Sequence, residues 1–210
     1  MTTALIFGGG GIGQAVATAM GKTGARVMLI SRDEALAQRL GVEGRTADLS
    51  VDAEVKEVCL WVSREVGQVD LLVGALGRMG RSRLEAASSA DVLRLMLDNF
   101  VATHAAITQA TPLLSASAHR FVCGACLERL ALPGLGAYAA AKAAVDAWAR
   151  VLMKEERAIK TTLLRLPAVD TPLWQQAPFP LPKGALAPSA VASALIDAWR
   201  EGKTGVVDVS

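Results

Sequence analysis

The sequence has few of the residues that mark several large protein classes. Its three cysteines, Cys59, Cys123 and Cys126, are too few and odd in number for a disulfide framework, which favours a reducing, cytoplasmic setting. No run of about 18 apolar residues occurs, so no membrane-spanning helix is expected. The two histidines have no carboxylate or cysteine at ligand spacing, so no metal site is predicted.

Charge is low and balanced. The chain has 22 Lys and Arg residues against 20 Asp and Glu residues, without a basic block, so nucleic acid is not indicated as a partner. Hydrophobic residues make up 52% of the sequence, which excludes global disorder. A length of 210 residues fits one domain, and we expect residues 1–210 to form it.

Short apolar runs alternate with longer segments of helical periodicity. Fully apolar runs are typical of strands that are buried on both faces, and the alternation predicts right-handed βαβ units. We therefore predict an α/β fold of the Rossmann type, a doubly wound parallel sheet of about seven strands with helices on both faces. The predicted strands lie near 4–7, 26–30, 45–47, 70–73, 120–123, 161–165 and 205–209, and the predicted helices near 12–22, 34–40, 51–66, 88–96, 99–114, 137–156 and 189–200.

A glycine-rich loop follows the first predicted strand. Gly8, Gly10 and Gly13 have the Gly-x-Gly-x-x-Gly spacing of dinucleotide-binding loops, in which small residues let the backbone approach a pyrophosphate. The next helix would offer its free N–H groups to the phosphates. A flexible turn is the alternative, but the position between the first strand and a helix favours dinucleotide binding.

The end of the second predicted strand carries the residues expected near the adenosine ribose. Ser31 takes the ribose position and Arg32 follows it, which favours the 2′-phosphate of NADP(H). A shift by two residues would place Asp33 there instead and make NAD(H) the cofactor. Asp48, after the third strand, is a candidate for the adenine amino group or an acid near a helix N-terminus.

The only tyrosine, Tyr138, stands four residues before Lys142, so both lie on one helix face. A nearby ammonium favours the phenolate and is expected to lower the tyrosine pKa, which would make Tyr138 a general acid or base at a carbonyl or alcohol oxygen. An ordinary surface pair is the alternative for this common spacing.

Four parts of the sequence together resemble the short-chain dehydrogenase/reductase family, and the resemblance covers essentially the whole chain. They are the loop at 5–13, Asn99, the segment at 135–142 and the segment at 166–173. The resemblance implies hydride transfer between NADP(H) and a small carbonyl or alcohol compound, in a homodimer or homotetramer joined through the Asn99 and Tyr138 helices.

The resemblance also assigns roles to individual residues. Tyr138 is the proton donor or acceptor, Lys142 assists it and binds the nicotinamide ribose, and Asn99 holds a water that links Lys142 to solvent. A short substrate lid is expected near 172–188. The cofactor contacts that it implies are Gly8, Gly10, Gly11, Ile12, Gly13, Ser31, Arg32, Asp48, Leu49, Gly74, Ala75, Leu76, Lys142, Pro167, Val169 and Thr171.

The sequence departs from the family pattern at three places. The glycine loop is one residue shorter, and Gly74 to Gly77 replace a segment that usually contains asparagine. The usual catalytic serine is replaced by Ala125 or by Cys126, depending on one gap, and a thiol is a weaker donor than a hydroxyl. Two functions follow as hypotheses: an oxidoreductase in which Cys126 substitutes for the serine, or a non-catalytic dinucleotide-binding sensor or partner protein.

Arginines at positions 78, 81 and 83 follow the fourth predicted strand, at the edge of the sheet where ligands are expected. They either attract an acidic substrate or are solvated loop charges, and loop charge is the simpler interpretation.

Overall fold

A computed structural model describes residues 1–80 and 83–210 of the chain. Seven parallel strands form one sheet in the order β3-β2-β1-β4-β5-β6-β7, which confirms the predicted doubly wound α/β fold. The strands are β1 Thr3–Phe7, β2 Arg26–Ser31, β3 Glu43–Thr46, β4 Val69–Gly74, β5 Leu114–Cys123, β6 Lys160–Arg165 and β7 Gly205–Asp208.

Helices cover both faces of this sheet. They are α1 Gly11–Lys22, α2 Leu36–Leu40, α3 Asp52–Val66, α4 Ser89–Met96, α5 Ala102–Ala110, α6 Gly136–Glu155 and α7 Pro188–Arg200. None of these helices is long and apolar enough to cross a bilayer.

Two hydrophobic layers explain why the central strands are apolar throughout. Leu5 of β1 packs with Val145 of α6 in one layer, which also contains residues of α3 and α5. Its neighbour Ile6 packs with Val16 of α1 and Leu195 of α7 in the other layer. Successive side chains of a strand point to opposite faces, so a strand that is covered on both faces has to be apolar at every position.

The strand order reverses between β1 and β4, so the loops that follow these two strands diverge and leave a crevice at the carboxyl edge of the sheet. The loop after β1 contains the glycines, and the loop after β4 runs from Gly74 to Arg78. Helix α6 brings Tyr138 to the same edge. The fold therefore places the predicted motifs around one crevice.

Two elements differ from their predicted form. The helices predicted at 88–96 and 99–114 are joined by a π-helical turn at Leu97–Val101, which contains Asn99. Strand β5 begins at Leu114, well before the predicted residue 120. Leu114 pairs with Val69 of β4, and the register then shifts so that Leu71 pairs with His119. The hydroxyl of Ser115 there donates to Asp70 of β4 at 2.8 Å.

A buried histidine lies in β5, away from the crevice. His119 is 1% exposed, and its Nε2 lies 2.7 Å from Oγ1 of Thr162. Because the Thr162 hydroxyl donates to the carbonyl of Lys203, we assign the proton of the neutral ring to Nε2. Nδ1 is buried without a partner among the described residues, so a second proton there would be unsatisfied. Burial lowers the pKa of His119 to about 4, and the charge of Lys160 acts in the same direction.

This arrangement predicts a loss of stability in mild acid. His119 titrates near 6.5 in the unfolded chain and near 4 in the folded chain, so its contribution is complete above pH 6.5 and is lost as the pH falls towards 4. Urea unfolding of the wild type and of His119→Gln between pH 7.5 and 4.5 measures it. The variant should lose part of the pH dependence of the free energy of unfolding.

His104, the other histidine, is exposed on α5 and supplies the matched control. His104→Gln should keep the wild-type pH dependence. Equal pH dependence in the wild type and in His119→Gln would contradict the assignment.

Candidate active site

Two adjoining cavities occupy the crevice at the carboxyl edge of the sheet. The first, of about 290 Å³, reaches the ends of β2 and β3, and the second, of about 670 Å³, contains Tyr138 and Lys142. Both are lined by the backbone of Gly9 and Gly10 and of the segment Ala75–Gly77. One elongated ligand can therefore extend from the first cavity into the second.

The glycine loop packs tightly at its ends and is open in its middle. A Cβ on Gly13 would lie 1.8 Å from the carbonyl oxygen of Gly8, and a Cβ on Gly8 would lie 2.4 Å from the carbonyl oxygen of Ala75. Gly8 also has a φ of +118°, in the region that favours glycine. A Cβ on Gly10 would meet no atom within 4 Å.

This loop fits a dinucleotide pyrophosphate. Helix α1 begins directly after Gly10 and has no acidic residue in its first turn, so its N–H groups face the open cradle without a competing carboxylate. Gln14 holds the loop by donating to the carbonyl of Gly9 at 2.8 Å. The sequence prediction omitted Gly9, although it stands inside the motif: a Cβ there would lie 2.5 Å from the Cβ of Ser31.

The first cavity brings together the residues that were predicted to bind adenosine. Ser31, Arg32, Asp48 and Leu49 all line it. Bonds from the hydroxyl and backbone N–H of Ser50 lower the pKa of Asp48, and the charges of Arg32 and Arg94 act in the same direction.

Asp33 lines the same cavity, but its carboxylate is already engaged. It accepts a bond from Arg39 at 2.5 Å and another from the backbone N–H of Ala35 at 3.1 Å. The ion pair with Arg39 lowers the pKa of Asp33. The acid next to Arg32 in the sequence, Asp33, is therefore neutralised by a different arginine, Arg39.

An ionic cluster that the sequence did not predict forms another wall of the first cavity. The buried carboxylate of Asp98 accepts bonds from Arg94 at 2.9 Å and from Arg78 at 3.4 Å. Arg78 thus lines the first cavity. Arg83, in contrast, pairs with Glu85 at 2.6 Å, and Arg81 lies outside the described residues. The i,i+4 spacing of Arg94 and Asp98 was the available signal, but it does not reveal that the pair faces a ligand cavity.

Two buried side chains hold the segment that follows β4. The Asn99 amide donates to the carbonyl of Arg78 at 2.8 Å and accepts from its N–H at 3.2 Å, so it fixes that residue from both sides. The Lys142 ammonium donates to the carbonyl of Leu76 at 3.1 Å. A Cβ on Gly77 would lie 3.1 Å from both of these polar groups, which explains glycine at that position.

Tyr138 and Lys142 lie on the inner face of α6, 6% and 5% exposed, with Nζ of Lys142 6.0 Å from the centre of the Tyr138 ring. Burial raises the pKa of Tyr138 to about 12 and lowers that of Lys142 to about 8. The shift of the tyrosine pKa is opposite to the one expected from the sequence, because burial disfavours the charged phenolate. Tyr138 is therefore a protonated phenol at neutral pH.

The two candidates for the serine position both line the second cavity but face differently. Val122 packs in the layer of α6, and a Cβ on Gly124 would meet Leu163 of that same layer at 2.8 Å. The N–H of Gly124 donates to the carbonyl of Leu164 in β6 at 2.8 Å, and the N–H of Cys126 donates to the carbonyl of Leu166 just after β6 at 2.9 Å. The backbone is therefore still extended beyond the end of β5, and its side chains continue to alternate between the two faces of the sheet. This alternation places Cys126 on the face of the sheet that α6 covers and Ala125 on the opposite face, and both residues line the second cavity.

The segment that was expected to form the lid contributes aromatic walls. A 3₁₀ turn at Pro172–Gln176 positions Trp174, whose Nε1 donates to the carbonyl of Val169 at 2.8 Å. Its ring packs against Phe179, with the ring centres 6.0 Å apart. Among the four tryptophans of the sequence, only the position of Trp174 in the expected lid could have suggested a role beyond packing.

Most of the predicted site residues line one cavity or the other. Pro167, Val169 and Thr171 line the second, as do Gly11 and Ile12, and a Cβ on Gly11 would lie 2.7 Å from the methyl group of Thr171. Three predicted residues line neither cavity: Gly13, Gly74 and Asn99. Gly13 and Asn99 support the loops as described above, and a Cβ on Gly74 would lie 3.1 Å from Ile107. Among the described residues, no group of His, Cys, Asp or Glu side chains is arranged to hold a metal ion.

The chain belongs to the short-chain dehydrogenase family of oxidoreductases. The family model "short chain dehydrogenase" matches residues 2–178. An uncharacterised oxidoreductase from Mycobacterium tuberculosis is 30% identical over 161 residues, which are 70% of this chain and 61% of that protein. The chain thus aligns with less than two thirds of the length of that relative.

Solved structures of the same family superpose on the whole fold. An alcohol dehydrogenase from the archaeon Thermococcus sibiricus, in complex with 5-hydroxy-NADP, is 26% identical with a TM-score of 0.84, over 99% of this chain and 94% of the other. A short-chain oxidoreductase from Thermus thermophilus, whose own assignment is provisional, is 30% identical with a TM-score of 0.81, over 94% and 95% of the two chains.

Proposed function

We propose that the chain is a cytoplasmic NADP(H)-dependent oxidoreductase that reduces a small carbonyl compound or oxidises the corresponding alcohol. The observation that carries the proposal is the position of Tyr138 and Lys142 in a cavity that adjoins a glycine cradle open to a dinucleotide. The three cysteines are free thiols, which supports a reducing compartment.

Several residues of the protein have separate roles in the proposed reaction. When bound, the nicotinamide supplies a hydride to the carbonyl carbon or accepts one from the alcohol. In reduction, the phenol of Tyr138 donates its proton to the carbonyl oxygen, which becomes the alcohol oxygen. A pKa of about 12 keeps that proton on the phenol at neutral pH, where it is available for transfer. Lys142 orients the tyrosine and the ribose. Asn99, whose amide is bonded to Arg78, acts by positioning the segment to which Lys142 binds.

The residues of the first cavity support NADP(H) rather than NAD(H) as the cofactor. Arg32 lines the first cavity beside Ser31, while the acid that would bind an unphosphorylated ribose, Asp33, is paired with Arg39. A guanidinium is suited to bind a phosphate through paired N–H groups. The archaeal alcohol dehydrogenase of similar fold is in complex with an NADP derivative, which supports the same choice.

The first experiment measures binding and turnover together. NADPH and NADH are titrated by fluorescence, and NADPH oxidation is then followed with a panel of aldehydes and ketones. NADPH should bind more tightly than NADH, and Tyr138→Phe should lower kcat by about 10²- to 10⁴-fold with unchanged NADPH affinity, because only the proton donor is lost. NADPH binding without turnover of any compound would instead support a non-catalytic sensor, and equal binding of NADH would contradict the role of Arg32.

Cys126 is proposed to take the place of the serine beside Tyr138. Burial raises the pKa of its thiol, so the group stays protonated and able to donate a weak hydrogen bond. Cys126→Ser replaces it with a stronger donor and should raise kcat for reduction. Ala125→Ser introduces the same hydroxyl one residue earlier, on the other face, and should leave kcat unchanged. A gain in Ala125→Ser alone would assign the position to Ala125.

A homo-oligomer is proposed from an exposed apolar stripe. Leu93, Leu97 and Val101 recur every four residues along α4 and the π-helical turn, and Leu93 is 63% exposed. Val151 of the neighbouring α6 is also exposed. Sedimentation should detect a dimer or tetramer that Leu93→Glu dissociates, whereas Leu60→Glu, at an exposed leucine of α3, should not. A monomeric wild type would contradict this proposal.

A further inference from the structure

The part of the second cavity beyond Tyr138 has apolar walls. Tyr138 packs in one cluster with Met79 and Leu135, and the lid residues Trp174 and Phe179 lie against it. The bond from Trp174 to Val169 fixes the indole, so this wall is formed before any ligand enters. Such a surface favours a hydrocarbon or aromatic body, because its burial removes apolar area from water.

The ionised side chains of this cavity carry one sign of charge. Besides Lys142, which is committed to Leu76 and Tyr138, its lining includes Arg129 and Lys183. Both are exposed, and neither is paired with an acid among the described residues. No aspartate or glutamate occurs in the described lining, although the whole chain is nearly balanced in charge.

Arg129 and Lys183 belong to two different segments that line the cavity. Arg129 ends the 3₁₀ turn Leu127–Arg129 after β5, and Lys183 lies in the lid segment after Phe179. Two unpaired cations beside an apolar wall attract an anion more strongly than they would in open water, since low-polarity walls focus the field. Their exposure leaves room for a group that remains partly hydrated.

From this arrangement, and resting on the proposed function, we infer that the substrate is an apolar carbonyl compound, or the corresponding alcohol, that carries one anionic group. The carbonyl lies at Tyr138, the apolar body contacts Trp174 and Phe179, and the anion lies between Arg129 and Lys183. A carboxylate or a phosphate satisfies the same chemistry. The inference concerns the second cavity only and is independent of the arginines that line the adenosine cavity.

The test compares two compounds that differ only in charge, 4-oxo-4-phenylbutanoate and its methyl ester, with NADPH in excess. The wild type should have a lower KM for the acid than for the ester. Arg129→Gln and Lys183→Gln should each raise KM for the acid by about three- to fivefold, as expected for an exposed ion pair, and leave that for the ester unchanged. Higher salt should reduce the preference for the acid in the wild type.

Matched controls separate a local contact from the overall charge of the protein. Lys56→Gln and Arg64→Gln remove the same charges from exposed positions on α3 and should leave both KM values unchanged. Equal KM values for acid and ester in the wild type, or equal effects of the control variants, would overturn the inference.

Binding gives a second readout that does not require turnover. Quenching of tryptophan fluorescence, to which Trp174 contributes, reports the affinity of the NADP-bound protein for each compound. A preference for the acid that Arg129→Gln and Lys183→Gln abolish supports the inference even if neither compound is reduced. If, in addition, no compound of the aldehyde and ketone panel is reduced, the proposed function fails and the anion site remains. Reduction of the ester with no preference for the acid would support the proposed function and overturn the inference of an anion site.

Discussion

The site depends on how one short stretch of backbone, the segment Gly74–Arg78, is held. Asn99 fixes its last residue through both backbone groups, and Lys142 binds the carbonyl of Leu76. On the other side, the carbonyl of Ala75 approaches Gly8 so closely that no side chain fits between them. Because Ala75–Gly77 line both cavities, the same contacts set the shape of both.

Burial governs the ionisation of Tyr138 and Lys142. Water is excluded from α6 on its inner face, so the phenol keeps its proton and the ammonium loses part of its preference for the charged form. The ammonium nevertheless has a backbone carbonyl as partner, which makes its burial tolerable. In the proposed reaction, a charge that develops near this buried pair would be felt more strongly than in water.

The fold and most of the residues that line the two cavities could be predicted from local patterns, because glycine spacing and the two-sided apolar strands report short-range requirements. Three features could not. The π-helical turn at Asn99 and the cluster of Asp98 with Arg78 depend on how distant segments meet. The pKa of Tyr138 depends on how deeply the side chain is buried, which cannot be read from its four-residue spacing to Lys142. The assignments of individual residues to cofactor and substrate stay predictions until ligands are measured.

Tyr138 is the only tyrosine of the chain, and it is buried. Every spectroscopic signal of a tyrosine ring, whether ultraviolet absorbance, fluorescence transfer to tryptophan or the resonances of a labelled phenol, therefore comes from this one group at the proposed reaction centre. The protein needs no mutation or chemical tag for this purpose. Its composition makes the ionisation and the surroundings of a single buried phenol directly observable in solution.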